Sequence, residues 1–185
     1  ESPQEILIEL RVVDAKEAPL ADMMPIATLA PNAFDKPVAH GGLTDEQGIA
    51  RFQVPTGETL YVRAWDPELK MFPANFYTLN KGADAPLEPL RIVMAPGAVL
   101  EATVLTPEGA PAMSMPVEVM LIHTKWGPWW PTEGVTDFTG KVRFPPIPPG
   151  EYEIAFRVEG VGQTRSAAVS FAPGERVRVE GVRLE

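Results

Sequence analysis

The stretch "TDEQGIARFQVPTGETLYVRA", residues 44–64, returns as "TDFTGKVRFPPIPPGEYEIAF", residues 136–156. Thr44, Asp45, Gly48, Arg51 and Phe52 recur 92 positions later as Thr136, Asp137, Gly140, Arg143 and Phe144. Val54–Pro55 and Gly57–Glu58 come back as Ile147–Pro148 and Gly150–Glu151, one residue out of phase. The match then recovers, with Leu60, Val62 and Ala64 facing Tyr152, Ile154 and Phe156. The flanks agree: Ile8, Leu10 and Val12 precede Leu100, Ala102 and Val104 by the same interval, and "LRI" (90–92) matches "VRL" (182–184). A self-match over nearly the whole chain marks a tandem repeat, and a domain-sized period means that each copy owns a core. The boundary falls at "APG", residues 95–97, which gives domains 1–95 and 96–185.

Within each copy the apolar residues alternate. "ILIELRVV" offers Ile6, Ile8, Leu10 and Val12 to one face; "EYEIAFRVE" offers Tyr152, Ile154, Phe156 and Val158, with Glu151, Glu153, Arg157 and Glu159 opposite. Period two with β-branched and aromatic residues predicts half-buried antiparallel strands. About seven such runs per copy, separated by turns drawn from 21 prolines and 15 glycines, predict a β-sandwich. In Thr-Asp-x-x-Gly the carboxylates of Asp45 and Asp137 are placed to accept turn amides, and Gly48 and Gly140 to supply the positive φ. We read these acids as structural caps rather than as catalytic or calcium-binding groups.

The combination resembles the carboxypeptidase regulatory-like domain, a transthyretin-like β-sandwich related to collagen-adhesin B-type modules. The matching residues are "RVVDAKEAPL" and "TVLTPEGAPA", Thr-Asp-x-x-Gly-x-x-x-Phe, and Val/Ile-Pro-x-Gly; the first copy departs with Leu60 where Tyr152 stands. The resemblance implies an all-β fold of two tandem Ig-like or transthyretin-like (prealbumin-like) antiparallel sandwiches. It also implies a structural or protein-interaction module, of spacer or adhesion type, in an exported, extracytoplasmic protein of bacterial type.

Chemistry is hard to find. The chain has no cysteine, hence no thiolate nucleophile and no zinc–sulfur site. Hydroxyisourate hydrolases of similar fold need a histidine- and arginine-rich site and a Tyr-Arg-Gly-Ser-like ending, whereas this chain has only His40 and His123 and closes with "EGVRLE". The isopeptide cross-link of B-type modules needs a lysine and an asparagine or aspartate. Residues 96–185 contain no asparagine and only Asp137. Met113, Met115, Met120 and His123 make a conceivable soft-metal set, but methionine more commonly fills cores. We expect no enzyme, no cofactor and no metal. A net charge of −9 argues against nucleic acid, and no run approaches the length of a membrane span.

One feature is left over. "HTKWGPWWPTEGVTD", residues 123–137, carries three of the four tryptophans, Trp126, Trp129 and Trp130. Gly127, Pro128 and Pro131 interrupt them, so a loop is predicted over residues 126–131. The corresponding stretch of the first copy, "APNAFDKPVAHGGL", has only Phe34 as an aromatic, so the fold does not require the cluster. Packing of the rings against the sandwich competes with a recognition role, in which they contact a protein partner or a glycan.

Overall fold

A computed structural model describes residues 4–32 and 35–185; Phe34 lies outside the described residues. These contain sixteen strands and no helix. They gather into two compact units, the first ending at Pro96 and the second running from Gly97 to Glu185.

The first unit comprises β1 (Glu5–Val13), β2 (Met24–Thr28), β3 (Ala39–His40), β4 (Ile49–Pro55), β5 (Leu60–Trp65), β6 (Met71–Pro73), β7 (Tyr77–Leu79) and β8 (Leu90–Pro96). One sheet has the order β4-β1-β8-β6 and the other β3-β2-β5-β7. Alternation places Ile8, Leu10 and Val12 of β1, Phe52 and Val54 of β4, and Leu60, Val62 and Ala64 of β5 in one core with Ile92 and Met94. Each such side chain withdrawn from water contributes about 1.5–3 kcal/mol against the ordering entropy, which is what holds the two sheets together.

The second unit comprises β9 (Val99–Leu105), β10 (Pro116–His123), β11 (Gly127–Val135), β12 (Lys141–Arg143), β13 (Gly150–Val158), β14 (Gly162–Arg165), β15 (Val169–Phe171) and β16 (Arg176–Arg183). Its sheets run β12-β9-β16 and β11-β10-β13-β14, with β15 also on β13. Each unit thus has eight strands, not the seven that the alternation suggests. Several are only two to four residues long, too short for a periodic pattern to register. Antiparallel pairs dominate, and each unit also has one parallel pair, β1 with β8 and β9 with β16. β12 stops at Arg143 where β4 runs on to Pro55, because Pro145 and Pro146 remove two ladder donors.

The turn motif builds the same bonds in both units. The Val12 amide donates to the Gly48 carbonyl at 2.8 Å, and Val104 to Gly140 at 2.8 Å. Leu20 donates to Val12 at 3.0 Å and Ala112 to Val104 at 2.9 Å. Buried Thr44 and Thr136 accept the Met23 and Met115 amides through their hydroxyls at 3.0 and 2.9 Å. Asp45 Oδ1 accepts the amides of Gln47 and Ile49, and Asp137 Oδ1 those of Thr139 and Lys141. Gly48 and Gly140 take φ of 75° and 82°, and a Cβ there would meet the Val12 and Val104 carbonyl oxygens at 2.4 and 2.6 Å. Only glycine meets both demands.

Away from the motif the 92-residue correspondence slips. Ala27 pairs with Val62, but Val119 pairs with Phe156 rather than Ile154; Val12 pairs with Ile92, but Val104 with Val182 rather than Leu184. Both slips are by two residues, which leaves every side chain on its original face. In β16 a bulge between Val179 and Val182 accompanies the shift.

Candidate functional site: the tryptophan hairpin

The tryptophans are not on a free loop. His123 pairs with Gly127, so Thr124, Lys125 and Trp126 form a three-residue hairpin loop closed by Gly127 at φ 76°. Trp129 and Trp130 then lie in β11, corrected from the predicted loop over residues 126–131. β11 is the edge of its sheet, and an edge strand accommodates proline where the ring nitrogen faces solvent. The register shifts between Leu121 and Ile122, which face Trp130 and Pro128, so Trp129 is the extra residue of a β-bulge.

The bulge sends the rings different ways. Trp130 sits opposite Leu121 and is 8% exposed, part of the core. Trp129 is half-buried, its ring centroid 5.1 Å from that of His123. Trp126, at the tip, is 38% exposed, with the Lys125 ammonium 4.7 Å from its ring centroid. This spacing suits a cation–π contact.

His123 ties the hairpin to the core. Its Nδ1 accepts the Lys125 amide at 3.0 Å and the Trp126 amide at 3.3 Å, which requires that nitrogen to be unprotonated. Its ring meets buried Tyr152 edge-on at 5.8 Å, and Tyr152 meets Phe171 at 6.1 Å. Burial, with Lys125 adding to it and Glu151 opposing, holds the imidazole pKa below its ordinary value. Tyr152 donates to the carbonyls of Pro148 and Pro149 at 2.9 and 3.1 Å, and burial pushes its phenol above the usual range. The sequence motif holds no sign of this ring relay, which depends on the register that sets Tyr152 of β13 opposite His123 of β10.

The other candidates do not converge. Met120 lies on the outer face of β10 and His123 three residues on, on the opposite face, while Met113 precedes the strand and is 57% exposed. Among the described residues no group of three His, Cys, Asp or Glu side chains is placed to hold a metal ion. Asp45 and Asp137 are occupied by their turn amides, and Thr139 holds the Asp137 carboxyl below its ordinary pKa through its hydroxyl and amide. Sequence reasoning missed Arg63, which is 1% exposed; burial draws its guanidinium down to about 10, with Asp35 opposing. An arginine alternating with valine and alanine in a strand reads as outward and solvated, and nothing local signals a cover.

No family model and no curated protein matches the chain. Solved structures similar to it include the TIE protein of Bacillus anthracis, 16% identical over 98% of this chain and 34% of that one, with a TM-score of 0.38. A minor pilin of Streptococcus agalactiae is 12% identical over 97% and 95%, TM-score 0.48. A shaft pilin of Lactobacillus rhamnosus GG is 8% identical over 97% and 98%, TM-score 0.35. The chain spans about a third of the length of the first of these. Among the described residues, no helix is long and apolar enough to cross a membrane.

Proposed function

We propose that the chain is a non-catalytic structural and protein-interaction module of an exported protein. On this reading it is built from two tandem carboxypeptidase regulatory-like sandwiches, 1–95 and 96–185. The observation that carries it is how the buried polar side chains are used. Among the described residues, Thr28, Thr44, Arg63, Asp66 and Thr136 are the buried polar or charged ones. Thr44 and Thr136 fasten the second strand of each unit to its turn, and Asp66 accepts the amides of Glu68, Lys70 and Met71. Thr28 bonds to the Ala30 carbonyl, and the Arg63 head lies 3.4–3.5 Å from Thr28 Oγ1 and the same carbonyl. Thr28, Thr44, Asp66 and Thr136 hold the main chain in place, and the Arg63 guanidinium lies against the Phe76 ring.

The tryptophan hairpin is the proposed contact point, with Trp126 and Trp129 meeting the partner and Trp130 anchoring them. A glycan-binding accessory role is the second reading, favoured by the 38% exposure of Trp126 at the tip. The test is a panel of immobilised surface proteins beside a glycan array, read with wild type and Trp126→Ala. The account expects protein retention that Trp126→Ala abolishes without moving Tm. Retention on glycans alone selects the second reading, and equal retention by the variant removes the hairpin from the function.

A further inference from the structure

The two units treat the outer face of one sheet in opposite ways. In the first unit Ile26 faces Arg63 and Thr28 faces Tyr61 across β2 and β5. Ile26 and Arg63 are 4% and 1% exposed, so this face is covered. The Arg63 guanidinium lies 5.2 Å from the Phe76 ring centroid, and Phe76 meets Tyr61 edge-on at 5.7 Å. An aromatic segment of the chain itself therefore lies on the sheet, with an arginine stacked on it.

In the second unit Glu118 faces Arg157 and Met120 faces Ala155 across β10 and β13. By register, Arg157 stands where Arg63 stands and Ala155 where Tyr61 stands. The ring is gone and so is the cover. The Arg157 side chain is 60% exposed and approaches Glu118 only to 3.7 Å. Ala155 lies in a groove of about 1080 Å³ that Met120, Pro131, Glu133 and Arg165 also line. On the far side of β10, Glu118 pairs directly with Glu133, two like charges in cross-strand register that the single guanidinium of Arg157 offsets only from the Glu118 side.

We infer that this groove docks an extended polypeptide segment of a partner that presents an aromatic side chain over Ala155 and a basic residue two positions away. The ring takes the place that Tyr61 and Phe76 fill in the first unit, with Arg157 against its face as Arg63 is against Phe76. Residues two apart on an extended segment share a face, spaced by about 7 Å. That carries the basic side chain from the row of Ala155 to the row of Arg157, Glu118 and Glu133, in which two carboxylates outnumber one guanidinium. The groove shares β10 and β11 with the tryptophan hairpin, but Trp126, Trp129 and Trp130 do not line it.

The probe is a fluorescein-labelled peptide Thr-Lys-Thr-Phe-Thr-Lys-Thr, titrated with the intact chain and read by anisotropy at low salt. Saturable binding is expected, weakened about tenfold when the phenylalanine becomes alanine or the lysines become glutamate. Ala155→Tyr restores the missing ring and should abolish binding. Arg157→Ala, on the exposed rim, should weaken the phenylalanine peptide several-fold and leave its alanine counterpart unchanged. Trp126→Ala should bind as wild type, which keeps a failure here distinct from a failure of the hairpin. No binding at up to about 1 mM peptide overturns the inference. So does Ala155→Tyr binding as tightly as wild type, or, should that variant not fold, indifference to Arg157→Ala.

Discussion

Gly48 and Gly140 sit where a side chain would collide with the strand it turns against. At positive φ and with a carbonyl oxygen within 2.4–2.6 Å of any added Cβ, Gly48→Ala and Gly140→Ala are each expected to cost about 1–3 kcal/mol by denaturant titration. Gly57→Ala, with open space around it, should cost far less. His123 makes a second residue-scale prediction. Its folded pKa lies below that of the unfolded chain, so the unfolded state takes up the proton first as pH falls. The stability it contributes is present above the ordinary histidine pKa of about 6.5 and is lost as pH drops through that value toward the folded one. The urea midpoint should fall between pH 8 and pH 5, and His123→Gln should remove most of that fall. A His123→Gln variant whose midpoint changes with pH as much as the wild type's would count against Nδ1 as the acceptor of the Lys125 and Trp126 amides.

At the scale of elements, alternation was readable wherever strands were long. β13, and β1 as far as Val12, carry their buried residues at every second position, as "EYEIAFRVE" and "ILIELRVV" announce, whereas β5 buries Val62, Arg63 and Ala64 in a row. It was not readable in β11. Gly127, Pro128 and Pro131 argue against a strand when each residue is taken as needing two neighbours, and β11 has one. Sequence shows proline but not which strand forms an edge, and the edge decides whether proline is tolerated. The bulge at Trp129 and the fate of three adjacent indoles followed from that, and so were hidden too. Hydrogen exchange should separate these strands: β10, bonded to both β11 and β13, should exchange its amides slowly along its length. The amides of β11 that face away from β10 should exchange fast. Uniform protection across β11 would mean that something else covers that edge.

For the whole molecule, the repeated motif told more than composition did, because its residues are those whose bonds recur. Thr44 and Thr136, Asp45 and Asp137, Gly48 and Gly140 make matching contacts to matching amides. The two-residue slips outside it left no trace in the pattern, since they preserve the faces that hydrophobicity reports. The outer-face groove was equally illegible: Arg63 and Arg157 look alike in sequence, and only their covers differ. The account as a whole rests on each copy owning its core and its turn network. Residues 97–185 expressed alone, followed by NMR amide exchange, test that most directly. The account predicts a dispersed β-rich spectrum in which the amides of Val104, Ala112, Met115 and Gly140 are all protected. A collapsed spectrum, or free exchange at those four amides, would contradict it.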